Sequence, residues 1–232
     1  MKTIIANWKM NGSPLLADRF VTELNNVDTQ NKIVLCPPAL LLGNFRDFRH
    51  SIGAQNCFYK EDGAFTGEIS PRLLKELGCE YVIVGHSERR TLFNESDEII
   101  YRKWKEAVTQ SLRPIVCIGE KLEERSCWEK ILEDQLARYI HGDTDTISRT
   151  IFAYEPVWSI GTGLAPSLQD LEQVFDFIRN ILPKGTGDTL IYGGSVKAKN
   201  AKEIAHCKNV DGLLIGGASL DIDEFKAIIA VV

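Results

Sequence analysis

Residues 151–163 read IFAYEPVWSIGTG and combine a short apolar run with a polar loop. Ile151 to Tyr154 has the length of a β-strand, and its unbroken hydrophobicity is typical of strands that are buried on both faces. Glu155 follows directly and places a carboxylate at the end of that strand. The stretch therefore predicts a buried parallel strand whose carboxyl end opens into a polar loop.

Similar apolar runs recur along the whole chain, separated by segments of helical period. Together with a weaker run at 50–55, they lie at 3–6, 33–36, 81–84, 115–118, 151–154, 190–192 and 213–215. Between the runs, apolar residues spaced three and four apart would line one face of a helix. Two such sets are Trp128, Leu132, Leu136 and Tyr139, and Leu168, Leu171, Phe175, Ile178 and Leu182.

Helix start signals support an alternation of strands and helices. Ser13-Pro14 and Ser70-Pro71 place a capping hydroxyl before proline, and Ser167 with Asp170 resembles a capping box. Eight strands alternating with helices admit an open doubly wound sheet or a closed barrel. The length and the strand count favour closure, so we predict an α/β fold, a single (β/α)8 TIM barrel with eight parallel strands that occupies residues 1–232 as one domain.

Composition excludes several classes of function. The net charge of −5 and the absence of a basic stripe argue against a nucleic-acid partner. The first apolar run is too brief for a signal peptide or a membrane span, and no other run is long enough to span a membrane. The six cysteines form no C-x-x-C pair or zinc-ligand cluster. Reduced thiols in a soluble cytoplasmic protein, without a metal, are therefore expected.

Polar residues follow many of the predicted strands. Parallel barrels and doubly wound sheets both bind ligands where the carboxyl ends of the strands open into loops. Any one of these polar groups could instead be structural, but their concentration on one rim favours a site. The rim residues are Asn7, Lys9, Gln55, Asn56, His86, Glu88, Glu155, Ser195 and Gly216.

The loop after Glu155 has the features of a lid. Pro156 stiffens one end, two glycines loosen the other, and Trp158 and Ile160 are apolar residues that a plain surface loop would not need. A lid that excludes water would use them. The alternative is a carboxylate paired with a strand-end lysine, beside a loop packed permanently on the barrel. The predicted lid comprises Pro156, Val157, Trp158, Ser159, Ile160, Gly161, Thr162 and Gly163.

Glycine pairs and one histidine complete the predicted site. Gly193-Gly194 and Gly216-Gly217 follow the last two strands, where barrels often bind phosphate on backbone N–H groups, although tight turns also explain glycine pairs. His86 precedes a possible helical turn, whose dipole disfavours an imidazolium, so His86 could remain neutral and donate a hydrogen bond. A structural histidine is the alternative.

Seven motifs resemble the triosephosphate isomerase family, in its order and across almost the whole chain. They are ANWKMNG at 6–12, GAFTGE at 63–68, VGHSERR at 84–90, CIGE at 117–120, AYEPVW at 153–158, YGGSV at 192–196 and LLIGGASL at 213–220. The resemblance implies interconversion of dihydroxyacetone phosphate and D-glyceraldehyde 3-phosphate through an enediolate, in glycolysis and gluconeogenesis, without cofactor or metal.

The resemblance also implies roles for the rim residues. The family is a well-studied example of a carboxylate base paired with a neutral imidazole, so these roles are taken from it. Glu155 would take the proton, His86 would polarise the carbonyl, Lys9 would supply positive charge and Asn7 would position the enediolate. Supporting residues would be Glu88, near Lys9, and Cys117. The phosphate would be bound by backbone N–H groups of Gly161, Ser195, Gly216 and Gly217.

The loop at 63–68 resembles the loop that the family inserts into a partner subunit, so a homodimer is implied. Its interface would include Gln55, Thr66, Glu68 and Arg89. The chain also departs from the family pattern: it is short, Ser159 stands where Ala is common, and Leu164 stands where many members have Lys. Because Ser159 and Leu164 lie on or beside the lid, these two departures affect the prediction of how the lid closes more than the prediction of the chemistry.

Two other functions compete with this one. Another phosphate-binding barrel enzyme, such as a lyase or a different sugar-phosphate isomerase, would explain the glycine pairs but not Glu155 joined to this lid. A non-catalytic barrel that binds a partner protein predicts losses among Lys9, His86 and Glu155, and all three are present.

Overall fold

The chain folds into a closed barrel of eight parallel strands in chain order, β8 pairing with β1. The computed structural model describes residues 1–140, 144–160, 164–183 and 190–232. The barrel confirms the predicted fold class, and each predicted run overlaps one of its strands. The strands are β1 Thr3–Asn7, β2 Lys32–Cys36, β3 Ser51–Ala54, β4 Tyr81–Val84, β5 Arg113–Ile118, β6 Ile151–Tyr154, β7 Leu190–Tyr192 and β8 Gly212–Ile215.

Helices connect the strands, and the predicted capping residues begin three of them. Ser13, Ser70 and Ser167 accept hydrogen bonds from backbone N–H groups of the first turns of α1, α2 and α7. The α-helices in the described ranges are α1 Pro14–Leu24, α2 Pro71–Glu76, α3 Ser87–Leu92, α4 Asp97–Thr109, α5 Trp128–Leu136, α6 Thr144–Ser148, α7 Leu168–Ile181, α8 Ala198–His206 and α9 Ile222–Val231.

Two details differ from the predicted regular alternation. A 3-10 segment, Ala39–Phe45, follows β2 in place of an α-helix. Gly43 and Asn44, both weak helix formers, interrupt its apolar run. At α7, the Ser167 hydroxyl donates to the Asp170 carboxylate, so the two residues do not form a reciprocal capping box.

The core has two layers, because alternate strand residues point to opposite faces. One layer fills the barrel interior and includes Ile5, Cys36, Tyr81 and Cys117. The larger layer lies between the strands and the helices. Both faces of every strand are therefore buried, as their unbroken hydrophobicity indicates, and the polar rim at the carboxyl ends remains available for a ligand.

Among the described residues, no helix combines the length and apolar character needed to cross a membrane.

Candidate active site

A cavity of about 750 Å³ opens at the carboxyl ends of the barrel strands. It borders residues that follow β1, β4, β6, β7 and β8. The structure therefore brings together most of the rim residues that the sequence singled out. The lining contains the rim residues Asn7, Lys9, His86, Glu155, Ser195 and Gly216, together with Ile160 of the predicted lid and Gly193, Gly194 and Gly217 of the glycine pairs.

Glu155 is the buried carboxylate of this cavity and is only 1% exposed. Its Oε2 accepts a hydrogen bond of 3.0 Å from the backbone N–H of Ser87. Its Oε1 lies 3.2 Å from Nε2 of His86 but makes no hydrogen bond within the described part of the chain. A buried carboxylate oxygen with unused acceptor capacity is poised to take a proton from a bound molecule.

Close approach of the neighbouring strand fixes the Glu155 side chain. A Cβ at Gly193 would lie 2.9 Å from Cγ of Glu155, which is closer than real Cβ atoms come. Glycine at the end of β7 therefore makes room for the carboxylate. The first glycine pair thus has a steric role here in addition to any role in binding a phosphate.

His86 is the residue before α3 and its side chain is nearly buried. Its Nδ1 accepts a hydrogen bond of 3.2 Å from the backbone N–H of Glu88, and Oε2 of Glu88 is farther from the same nitrogen, at 3.5 Å. Because the nearer contact is a donor, Nδ1 acts as an acceptor, and a neutral ring carries its proton on Nε2. That proton is on the nitrogen nearest to Glu155.

Lys9 has a left-handed backbone, with a φ of 53°. This conformation costs a non-glycine residue on the order of 1–2 kcal/mol. Its N–H donates to Oδ1 of Asn7 at 3.0 Å, and its carbonyl accepts from Nε2 of Gln55 at 2.8 Å. Its ammonium lies 2.6 Å from Oε1 of Glu88. These contacts hold a cation at the cavity wall and give Gln55 and Glu88 supporting positions within one chain.

The beginning of the predicted lid is attached to a buried carboxylate. Val157–Ser159 form a 3-10 turn, and Glu120 is fully buried beneath it. Oε1 of Glu120 accepts hydrogen bonds from the Trp158 indole at 3.1 Å, the Tyr154 hydroxyl at 3.0 Å and Arg125 at 3.1 Å. Gly161, Thr162 and Gly163 of the predicted lid lie outside the described residues.

Ser159 joins the lid to the loop after β7. Its hydroxyl donates to the Leu164 carbonyl at 2.7 Å, accepts from the Ser195 N–H at 3.3 Å and lies 3.3 Å from the Tyr192 hydroxyl. The Ser195 hydroxyl in turn donates to the Ser159 carbonyl at 2.9 Å. Burial raises the pKa of Tyr192 to about 12, and the bond to Ser159 partly opposes this shift.

Cys117 lies inside the barrel below the site. Burial first, and the nearby Glu155 carboxylate second, hold the pKa of its thiol well above the usual range. A neutral thiol beneath the carboxylate adds no second negative charge to the site. The supporting role of Cys117 stays a prediction.

The four residues expected at a subunit interface fall into two groups, one exposed and one with partners inside the same chain. Thr66 and Glu68 are exposed. Gln55 donates to two carbonyls of its own chain, and Arg89 forms an ion pair of 2.5 Å with Glu95. The exposed loop is thus available to a partner, whereas Gln55 and Arg89 have internal partners.

Several residues of the site were not singled out from the sequence. Glu120 was noted only as part of a motif, although a carboxylate two residues beyond β5 was a usable signal. Lys197, Asp221 and Glu224 line the cavity from the starts of α8 and α9. These three residues lie several positions beyond the strand ends, so a search for polar residues directly after each strand does not find them.

No three His, Cys, Asp or Glu side chains cluster closely enough to bind a metal ion within the described ranges. The groups on the rim are suited to moving a proton, since a carboxylate with one oxygen that makes no hydrogen bond to the described residues shares the cavity with an imidazole and an ammonium. The fold and this rim define a (β/α)8-barrel enzyme of the proton-transferring class.

Comparison with known proteins gives the family. The family model described as triosephosphate isomerase matches residues 2–232. Proteins named triosephosphate isomerase from Aquifex aeolicus strain VF5 and Finegoldia magna are 43% and 41% identical, covering 98% and 97% of this chain and 98% and 96% of their own. One from Francisella tularensis subsp. mediasiatica is 39% identical, covering 98% and 96%. The chain belongs to the triosephosphate isomerase family, which confirms the predicted resemblance and the isomerase class.

Proposed function

We propose that this chain interconverts dihydroxyacetone phosphate and D-glyceraldehyde 3-phosphate. The observation that carries the proposal is the placement of Glu155, whose unpaired Oε1 borders the cavity 3.2 Å from Nε2 of His86. Membership of the family supplies the identity of the substrate pair. The alternative barrel enzymes do not account for this base and electrophile together.

The reaction needs one base that reaches two adjacent carbons. Oε1 of Glu155 takes a proton from the carbon next to the carbonyl, and the electrons of the broken C–H bond form the enediolate. Nε2–H of His86 donates to the carbonyl oxygen as negative charge develops there. Glu155 then returns the proton to the neighbouring carbon. The hydroxyl oxygen on the carbon that was deprotonated gives up its own proton as it becomes the new carbonyl, and the former carbonyl oxygen gains a proton as it becomes the new hydroxyl. Two protons thus change place in the site, so the reaction is redox-neutral overall and consumes no other reactant.

Lys9 and Asn7 act on the same oxyanion. The ammonium of Lys9 is placed by its strained backbone and by Glu88, so it supplies positive charge without reorganising during the reaction. Asn7 is 5% exposed, and its Oδ1 accepts from the Lys9 N–H. Its amide nitrogen is then left to position the substrate.

The substrate phosphate would bind backbone N–H groups of Ser195, Gly216 and Gly217, together with Gly161. Ser195 and the Gly216-Gly217 pair line the cavity beside Lys9. The Ser195 N–H donates over 3.3 Å to the Ser159 hydroxyl, a long bond that a phosphate oxygen can replace. The lid would then exclude water and protect the enediolate from losing its phosphate.

We further propose a cytoplasmic homodimer acting in glycolysis and gluconeogenesis. Met10 is 95% exposed and Phe65 is 40% exposed, so large apolar side chains face outward next to Lys9 and in the 63–68 loop. A partner subunit that covered them would remove apolar surface from water. Sedimentation equilibrium should give twice the chain mass; a fully active monomer would contradict the assembly.

The catalytic proposal is tested by Glu155→Gln, which keeps the shape of the side chain and removes its basicity. We expect kcat for both triose phosphates to fall by at least ~10²-fold, because general-base catalysis is lost. Glu203→Gln makes the same change at an exposed position on α8 and should leave kcat unaltered. A Glu155→Gln enzyme with nearly unchanged kcat would sink the assignment.

A further inference from the structure

A second cavity, of about 340 Å³, lies at the amino ends of the barrel strands. Lys32 is the first residue of β2, Tyr81 of β4 and Arg113 of β5, and all three line this cavity. Lys75 from α2 and Arg149 from the segment before β6 also line it. Because amino and carboxyl ends lie at opposite faces of a parallel barrel, this cavity is separate from the catalytic rim.

The cavity has an excess of positive charge. Its lining contains four cations and one carboxylate, that of Glu80, in a chain whose net charge is −5. Arg149 pairs with Asp145 at 2.8 Å. Within the ranges that the structure describes, Lys32, Lys75 and Arg113 form no salt bridge. Three cations without salt bridges around one cavity repel each other more than the single Glu80 carboxylate compensates, and an anion among them would relieve that repulsion.

The Tyr81 ring and one backbone carbonyl orient two of these cations. Nζ of Lys32 lies 5.1 Å, and Cζ of Arg113 lies 5.8 Å, from the centroid of the nearly fully buried Tyr81 ring. Nε of Arg113 donates to the Arg149 carbonyl at 3.0 Å. In the described chain its two terminal nitrogens have no hydrogen-bond partner. A guanidinium fixed in this way presents a free pair of donors, the geometry that recognises phosphate oxygens.

We propose that this cavity binds a small phosphorylated anion. Its volume lies near the lower end of the range for ligand sites, about 300–1,000 Å³, which suits one or two phosphate groups on a short carbon body. The anion would contact the first residues of β2 and β5, above the Tyr81 ring of β4. Binding to this arrangement stabilises the barrel, because the unfolded chain does not assemble the site.

Site-resolved NMR tests the proposal. We would titrate the full-length protein with inorganic pyrophosphate, and separately with inorganic phosphate, and follow the backbone amide signals of Ser111, Leu112 and Ser148, which line the cavity. Signals of Gly216 and Gly217 report independently on binding at the catalytic rim. We expect saturable shifts at the first group, with tighter binding of pyrophosphate if two phosphate groups are accommodated.

A charge-matched pair of variants provides the control. Lys32→Gln/Lys75→Gln should weaken binding at this cavity by at least ~10-fold, since charge-assisted contacts are lost. Lys202→Gln/Lys208→Gln removes the same charge from two exposed positions, one on α8 and one two residues after it, and should leave the affinity unchanged. If the first pair fails to fold, Lys75→Gln alone, at an exposed position, replaces it, with an expected loss of a few-fold.

Three results would overturn the proposal. The first is an absence of saturable shifts at Ser111, Leu112 and Ser148 up to millimolar pyrophosphate. The second is equal weakening in both charge-matched variants, which indicates nonspecific attraction of an adventitious ion only. The third is shifts confined to Gly216 and Gly217, which would place all anion binding at the catalytic rim.

Discussion

Ser159 is one residue of this chain whose hydroxyl can change how the site found throughout the family binds its ligand. In the sequence, Ser159 belongs to the predicted lid and stands where alanine is common in the family. In the structure the side chain is buried, and it connects the predicted lid to Leu164, Ser195 and Tyr192. Its contact with the Ser195 N–H uses a donor that the proposed function assigns to the substrate phosphate. On the proposed function, Ser159 and the substrate phosphate would compete for this one hydrogen bond.

Ser159→Ala should release this donor. On the proposed function, we expect KM for D-glyceraldehyde 3-phosphate to fall by about 2- to 10-fold, because a net hydrogen bond contributes about 0.5–1.5 kcal/mol. Steady-state kinetics measure the change, and kcat should stay within about twofold. Tyr192→Phe removes the phenol contact but keeps the Ser159 hydroxyl beside Ser195, so KM should not fall. A higher KM in Ser159→Ala would show that the hydroxyl assists binding.

At this scale the sequence predicted side chains at strand ends better than the contacts between them. Lys9, His86, Glu155 and Ser195 follow apolar runs, and parallel strands bring such positions to one rim. The three hydrogen bonds to Glu120, in contrast, come from Arg125, Tyr154 and Trp158, which lie on different elements. No periodicity along the chain encodes that convergence, so the attachment of the lid became visible only in the folded molecule.

At the scale of elements, the site depends on how closely the ends of β5 and β6 approach. The backbone N–H of Glu155 donates to the Ile118 carbonyl at 2.7 Å. A Cβ at Gly119 would lie only 1.8 Å from the Glu155 carbonyl oxygen. That oxygen belongs to the backbone, so no side-chain rotation can relieve the overlap. The sequence predicted the strands, but it did not show how closely the ends of β5 and β6 approach. It also predicted a helix after β2, where the structure has a 3-10 segment because Gly43 and Asn44 interrupt the apolar run.

Gly119→Ala should therefore separate the ends of two strands. We expect the free energy of unfolding to fall by about 3 kcal/mol, at the upper end for overpacking, and kcat to fall because the Glu155 backbone must move. Urea unfolding and steady-state kinetics measure the two effects. Gly43→Ala is the matched control, since its added Cβ meets no atom within 4 Å and its φ is not positive, so stability should stay equal or rise slightly. Equal stability of the two variants would contradict this account.

At the scale of the whole molecule, the two-layered core buries most of the thiols. Cys36 and Cys117 lie inside the barrel, and Cys57 and Cys79 lie in the outer layer. Burial is the main cause that raises the pKa of each of these thiols. Cys127 is exposed and free. The core therefore disfavours the thiolate form of these cysteines, so the stability of the fold should depend on pH where free thiols ionise.

The stability of the fold should consequently decline at alkaline pH, and Cys57 isolates the effect. Burial raises its pKa from 9.0 to about 12, and Lys103 opposes the shift only partly. Between these values the native chain retains a proton that the unfolded chain has lost. The native state therefore binds more protons, and the free energy of unfolding decreases as pH rises. Below pH 9 the thiol is protonated in both states, and its full contribution to the free energy of unfolding is present. Above pH 9, each thiol whose pKa is raised in this way lowers the free energy of unfolding by about 1.4 kcal/mol per pH unit.

Urea unfolding at a series of pH values from 7 to 10.5 measures this decline. Cys57→Ala should lower the stability at pH 7, because a buried atom is removed, yet flatten the loss above pH 9 by the slope of one thiol. Cys127→Ala makes the same substitution at an exposed position and should leave the profile unchanged. Parallel profiles for Cys57→Ala and the wild-type chain would show that Cys57 does not titrate differently in the folded and unfolded states, and the alkaline loss would then have to come from other buried groups.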